Sequence, residues 1–386
     1  MLKPISIAKK LLVFVPLCFL AVSCSPFGAT PSGAGVAKTT NGSNDWAFSN
    51  RAEVVATKTN KNPKPTDSAL ATSSVIALSF SPENSQKLYA ATLGNGLFYS
   101  ENSAETWKQV LPKFNAYGVV VDPANAEVVY VAGQADKKAR VLRSDNRGKS
   151  WQEIYNDAAA GSSVRSIAIS PQDSKIIIIG LASGNLIGSS DGGSTWSLLQ
   201  NFQDPVTQLL WHKGGVLYIV ARGKGIYQSP DGGKTVENIS KQLLNLEDWR
   251  KSLQSLFAGD PTAVAQIDIP SVATTSFYHI ATATNAPYPL FLAANNGLFM
   301  LKASNANWEY LKLPLKKSDN TGVRSVTLAG NDTILYAGVA NTIYRSVNGG
   351  KSWQVNAIAT AATINYILVD PNLPQVAYAG FIGTGQ

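Results

Sequence analysis

The chain has 386 residues, 45% of them hydrophobic and 15% charged, with a formal net charge of +8. That composition supports a large apolar core and excludes a disordered polyelectrolyte. Two cysteines and two distant histidines argue against a disulfide framework or a zinc site, and dispersed lysines and arginines without a basic run argue against nucleic-acid binding.

Residues 1–23 read as an export signal. Lys3, Lys9 and Lys10, which account for three of the positive charges, precede an apolar run over 11–20 and the small-residue stretch Ala21-Val22-Ser23-Cys24. The run is too short to span a bilayer as a permanent helix. Residues 20–24 resemble the lipobox of bacterial lipoproteins, with Ala21 where leucine is usual. The resemblance implies cleavage before Cys24, a diacylglycerol thioether on Cys24, and a lipid-anchored protein of the bacterial cell envelope facing periplasm or exterior. An ordinary secretory signal is the alternative. Residues 24–34 then form a lipid-proximal tether, and the mature chain keeps Cys24 alone, so its core must hold it together.

Residues 35–50 present a choice. Gly35 precedes Trp46 by the same interval that separates Gly96 from Trp107 and Thr342 from Trp353. On that spacing, 35–50 supply two strands to a repeat begun at the other end of the chain. Alternatively, the Ser-, Thr-, Asn- and Gly-rich stretch 25–73 is one flexible tether. Residues 51–72 read as a linker in either case.

From residue 74 a unit recurs about every 45 residues, which marks a repeat architecture. Its upstream signal is a short apolar strand, an Asp-Pro or Ser-Pro turn and a second strand: Ser81-Pro82 leads to Leu88-Tyr89, Asp122-Pro123 to Val129-Tyr130, Ser170-Pro171 to Ile177-Ile178, and Asp370-Pro371 to Ala377-Tyr378. Its downstream signal is a polar turn ending in tryptophan. The fullest copy is Ser189-Ser190-Asp191-Gly192-Gly193-Ser194-Thr195-Trp196. Degenerate copies centre on Asn102, Asn146, Asp231 and Asn348, and the Asp231 copy ends in Val236 instead of tryptophan. The spacing predicts four antiparallel strands per unit, over 74–112, 116–156, 163–200, 205–240, 275–314 and 322–357, with 363–380 giving two strands of another. The fifth unit lacks the polar turn and keeps only Trp308. An insertion over 240–274 places Leu246, Trp249, Leu253 and Leu256 at helical spacing, which predicts an amphipathic helix over 240–257.

The fold expected is therefore all-β: one seven-bladed β-propeller over 35–386, built of four-stranded antiparallel blades, with one helical insertion. In each polar turn the Asp or Asn side-chain oxygen is positioned to accept an N–H two residues on, the glycine to take a positive φ, and the tryptophan to pack over the hairpin. These tracts resemble the Asp-box, or BNR-like, repeat of sialidases, sortilin-like receptors, xyloglucanase-type glycoside hydrolases and photosystem II stability and assembly factors. The resemblance implies a structural role for Asn102, Asn146, Asp191, Asp231 and Asn348.

Chemistry is expected on the face carrying the loops between second and third strands and between blades. There Lys113, Lys137, Lys138, Arg140, Arg222, Lys224, Lys316 and Lys317 outnumber Asp136, Asp157, Asp204 and Asp319. Of these, Lys137, Lys138, Arg140, Arg222, Lys224, Lys316 and Lys317 form a candidate face for a protein partner with an acidic surface. A paired-carboxylate hydrolytic centre is not evident, nor is the Arg-Ile-Pro motif of sialidases, a Gly-x-Ser-x-Gly elbow, or a glycine-rich phosphate loop. No cofactor, metal or nucleic acid is expected. The reading is a non-catalytic interaction or assembly scaffold held to the membrane by its N-terminal lipid, with a glycan-binding or glycan-cleaving propeller as the alternative.

Overall fold

A computed structural model describes residues 34–53, 66–157, 161–245, 247, 274–283, 290–302, 308–315, 322–330 and 332–383. The chain enters through β1 (Gly35–Thr39) and β2 (Ala47–Phe48). Six consecutive four-stranded sheets follow. Blade 1 is β3 (Val75–Ser81), β4 (Asn84–Thr92), β5 (Gly96–Ser100) and β6 (Lys108–Leu111). Blade 2 is β7 (Asn115–Val121), β8 (Val129–Ala135), β9 (Lys138–Ser144) and β10 (Gln152–Asn156). Blade 3 is β11 (Val164–Ile169), β12 (Ile177–Leu181), β13 (Asn185–Ser189) and β14 (Ser197–Asn201). Blade 4 is β15 (Val206–Trp211), β16 (Leu217–Ala221), β17 (Gly225–Ser229) and β18 (Glu237–Asn238). Blade 5 is β19 (Phe277–Thr282), β20 (Leu290–Ala294), β21 (Gly297–Leu301) and β22 (Trp308–Leu311). Blade 6 is β23 (Ser325–Ala329), β24 (Ile334–Val339), β25 (Thr342–Ser346) and β26 (Gln354–Ala357).

The seventh blade joins both ends of the chain. Strands β27 (Thr363–Val369) and β28 (Ala377–Ile382) pair with each other, and β1 completes the ladder from Gly35 opposite Phe381 to Thr39 opposite Ala377. The sheet order β2-β1-β28-β27 leaves no open edge between first and last repeats, which removes the site where an unpaired strand would recruit another chain. The architecture is a seven-bladed propeller with almost no helix.

Second strands run buried from end to end, as in Ile177–Leu181 and Leu217–Ala221, because both of their faces lie between neighbouring blades. Small residues allow the close approach. A Cβ on Gly180 would fall 2.4 Å from the Val206 side chain of the next blade, and one on Gly338 would fall 2.6 Å from Ile364. Tryptophans tie neighbours at the outer rim. The indole N–H groups of Trp107, Trp151, Trp196 and Trp308 each donate to a carbonyl of the preceding blade: Ser49, Val110, Ile154 and Ile239, at 2.6–3.0 Å.

Two segments differ from the sequence expectation. The stretch taken as a linker is docked at both described ends: Ala52 bridges Trp107, and Arg51 bridges Asp67. A 3-10 turn over Ala69–Thr72 buries Leu70 completely, in a cluster with Val36 and Val75. Polar composition hides this, since one leucine and a few backbone bonds do the docking. In the insertion, the structure describes one helical turn, α1 (Lys241–Leu244), with Leu243 buried. Leu246, Trp249, Leu253 and Leu256 lie outside the described residues.

Candidate functional site

The Asp-boxes cap the third-to-fourth-strand turns. In blade 3 the Ser189 hydroxyl accepts the Gly193 N–H at 2.8 Å and donates to Asp191. The Asp191 carboxylate in turn accepts the Thr195 N–H at 2.9 Å and the Thr195 hydroxyl at 2.6 Å. Those bonds, the Thr195 hydroxyl first, hold the Asp191 carboxyl down at about 2. The side-chain oxygen therefore reaches four residues on, not two, while the serine supplies the nearer cap. Asn102, Asn146, Asp231 and Asn348 repeat the arrangement. Consecutive left-handed residues, Gly192 and Gly193 in blade 3, close each turn.

A further copy closes blade 7. The Thr39 hydroxyl accepts the Ser43 N–H, and Asn41 accepts the Asp45 N–H at 3.1 Å. Threonine in place of serine, and aspartate in place of the terminal hydroxyl residue, concealed it. All these boxes lie at the end of the ring where third strands finish.

The opposite end, where first strands begin, opens into the central channel, a cavity of about 580 Å³. Its rim follows one rule. In six blades the first strand carries a bulge at its second or third residue, leaving Ile76, Tyr117, Arg165, Thr207, Tyr278 and Asn365 out of register. In blade 6, Arg324 and Ser325 both face Gly338, which puts Arg324 in the same place. Bulges re-aim side chains, and all seven residues line the channel, half-buried. The residue before each one is apolar and fully buried: Val75, Ala116, Val164, Val206, Phe277, Val323 and Ile364.

Chemistry concentrates at this rim. The Arg165 guanidinium stacks 4.1 Å from the Tyr117 ring centre, and Arg324 stacks 4.5 Å from Tyr278. Arg222, on the second-to-third-strand loop of blade 4, leans on Tyr278 from 5.8 Å. Among the described residues none of the three arginines forms an ion pair, and no carboxylate lines the channel. Among the described residues, three further polar atoms of channel-lining side chains are buried without a hydrogen-bond partner: Thr207 Oγ1, Trp211 Nε1 and His279 Nε2. His279 Nδ1 donates to the Val326 carbonyl at 2.9 Å. Burial holds its imidazole well below the ordinary range, at about 4, so the ring is neutral at physiological pH and Nε2 presents a lone pair.

Of the basic face expected from sequence, Arg222 is the one member among the described residues that lines the channel. Arg140 is held by Glu153 at 2.8 Å and Asp136 at 3.3 Å. Lys137 and Lys224 are exposed on loops, Lys138 is exposed at the start of β9, and Lys316 and Lys317 lie outside the described residues, as does Cys24. Asp204 accepts the Gly223 N–H at 2.8 Å. Sequence reasoning missed Arg165, Arg324, Tyr117 and Tyr278. A signal existed, since Tyr117 and Arg165 each lie six residues before the proline that ends the first strand. Among the described residues no group of three His, Cys, Asp or Glu side chains could hold a metal ion, and no helix is long and apolar enough to cross a membrane.

Known proteins resemble the chain in sequence and in fold. The xyloglucanase Xgh74A of Acetivibrio thermocellus is 26% identical over 211 residues, covering 42% of this chain and 25% of the enzyme. The chain thus matches only a quarter of that relative's length. Among solved structures, the GH74 xyloglucanase of Xanthomonas campestris superposes with a TM-score of 0.62 at 17% identity, over 81% of this chain and 51% of that one. YCF48 bound to D1 peptide superposes with a TM-score of 0.57 at 16% identity, over 82% of this chain and 94% of that one. Both likenesses are of fold. Residues 95–336, more than half of the chain, match the family model Sortilin-Vps10, described as sortilin, neurotensin receptor 3, and the chain belongs to that family.

Proposed function

We propose that this protein is a non-catalytic binding scaffold of the bacterial cell envelope, anchored through a lipid on Cys24, that receives an acidic protein partner at the channel mouth. The observation that carries the reading is the arginine–tyrosine rim: Arg165, Arg222 and Arg324 are stacked on Tyr117 and Tyr278 and lack ion-pair partners among the described residues. Stacked guanidinium groups with free N–H edges recognise carboxylates, and an aromatic platform holds them ready. A single propeller of similar extent, YCF48, is known bound to a peptide, which supports a protein partner. The lipobox-like residues 20–24 support the anchor.

The test is affinity capture from native envelope fractions, with wild type compared against an Arg165→Gln, Arg222→Gln, Arg324→Gln triple variant of matched thermal stability. A partner retained by wild type and lost by the variant is the expected result. Equal retention by both would remove the channel mouth from the account. A second reading, glycan binding or cleavage, is favoured by the sequence match to xyloglucanases. Release of reducing sugar from xyloglucan, abolished by Asp204→Asn, would establish it.

A further inference from the structure

The rim arginines are not one patch. First strands contact one another in ring order, β3 with β7, β7 with β11, onward to β27 with β3. Tyr117 and Arg165 come from blades 2 and 3, whereas Tyr278 and Arg324 come from blades 5 and 6, joined by Arg222 from blade 4. In a ring of seven, blades 3 and 6 are as far apart as two members can be. Thr207 lies between the clusters on one side, and Asn365 and Ile76 on the other. Asn365 is itself occupied, donating to the Val75 and Ile76 carbonyls at 3.2 and 3.3 Å. The mouth therefore has two cationic poles facing each other across the channel.

We infer that the mouth is a two-pole clamp for an extended acidic peptide segment carrying two carboxylates, one seated at Arg165–Tyr117 and the other at Arg324–Tyr278 with Arg222. The inference rests on the channel-mouth reading above and adds the partner's charge pattern. Each guanidinium has one face covered by a tyrosine ring and its N–H fork free, the geometry that takes one carboxylate bidentately. A single carboxylate satisfies one pole and leaves the opposite one unpaired. Between the poles, Ile76 and Leu93 of blade 1 give the wall an apolar surface, which suits a peptide better than a hydroxyl-dense sugar chain. Tyr117 and Tyr278 are positioning residues that act through the arginines they hold.

The experiment is fluorescence anisotropy on the full-length purified protein. The probes are end-blocked Gly/Ala peptides with no glutamate, one glutamate, or two glutamates separated by zero to six residues; oligogalacturonate serves as an acidic glycan. One spacing of the two-glutamate series is expected to bind about tenfold or more tighter than any one-glutamate peptide, because the second contact forms intramolecularly. Arg165→Gln and Arg324→Gln should each bring that peptide down to the one-glutamate level, yet weaken the one-glutamate peptide only about twofold, since either pole can serve it. Tyr117→Leu should follow Arg165→Gln, and Tyr117→Phe should not. Equal binding of one- and two-glutamate peptides overturns the clamp while the anionic-partner reading survives. Binding of oligogalacturonate alone overturns the peptide occupant, and binding of no probe overturns both readings.

Discussion

Truncating Val36 to alanine separates a structural strand from a passing tether. Val36 is fully buried in the cluster formed by Leu70, Val75 and Leu78, and its backbone N–H is capped by the Asn50 side chain at 2.8 Å. The substitution removes two methyl groups at about 0.8 kcal/mol each, and the unfilled space brings the loss to about 2 kcal/mol. For a domain of this size that lowers the melting temperature by a few degrees, measurable by circular dichroism or calorimetry. Leu70→Ala, in the segment that reads as linker, should cost about 2–5 kcal/mol. Because Val36 and Leu70 share one cluster, the double variant should depart from additivity by at least about 0.5 kcal/mol. Deleting 34–50 removes the β1 ladder and leaves β28 paired with β27 alone, exposing an edge whose expected consequence is aggregation. If Val36→Ala unfolds within about 0.5 kcal/mol of wild type, as surface changes do, then the N-terminal strand is not holding the ring and the closure argument fails.

Other outcomes follow from the boxes, the channel and the leader. The Asp191 carboxyl titrates at about 2 when folded and near 3.9 when unfolded, so its contribution is complete above pH 4 and is lost as pH falls toward 2; Asp191→Asn should flatten melting temperature against pH in that window. His279 has the same sign over a higher pH window. Its folded value of about 4 lies below the unfolded 6.5, so stability rises with pH between the two, and His279→Gln should remove that slope. Ser229→Ala strands the buried Gly233 N–H at about 1–3 kcal/mol, read by denaturant unfolding, and should leave peptide binding at the mouth unchanged. Cys24→Ala should abolish metabolic lipid labelling in a bacterial host, and equal labelling of both forms would remove the anchor.

What could be read from the sequence depended on how locally each signal was written. A blade declares itself within one window: Asp122-Pro123 fixes a turn, Val129–Ala135 fills the buried second strand, and Trp151 lands where a hairpin ends. Composite closure was legible for the same reason, since the Gly35-to-Trp46 interval matches Gly96 to Trp107 within a dozen residues. The blade 7 box was harder, because its hydrogen bonds need only an acceptor at each position. Threonine and asparagine at 39 and 41 satisfy them without spelling the motif. The channel rim was hardest. It takes one residue per blade, about 45 positions apart, and its pairs come from different sheets. Arg165 and Tyr117 touch because blades 2 and 3 are neighbours, which no periodicity within either blade records.

The two ends of this ring place opposite demands on the chain, and that difference locates its chemistry. At the box end the polar side chains hold the turns: in blade 3, Ser189, Asp191 and Thr195 bond one another and the backbone. At the mouth end the packing requirement stops one residue short. Val75, Ala116, Val164, Val206, Phe277, Val323 and Ile364 must be apolar because each is sealed between blades. The bulge residue that follows is turned out of the ladder into the channel, and packing asks nothing of it beyond fitting there. Those seven positions hold Ile, Tyr, Arg, Thr, Tyr, Arg and Asn, whereas their buried predecessors are apolar throughout. A position freed from packing and repeated around a closed ring lets a scaffold carry a binding specificity without cost to its core. Here the freed positions hold two arginines braced by two tyrosines on opposite sides of one opening.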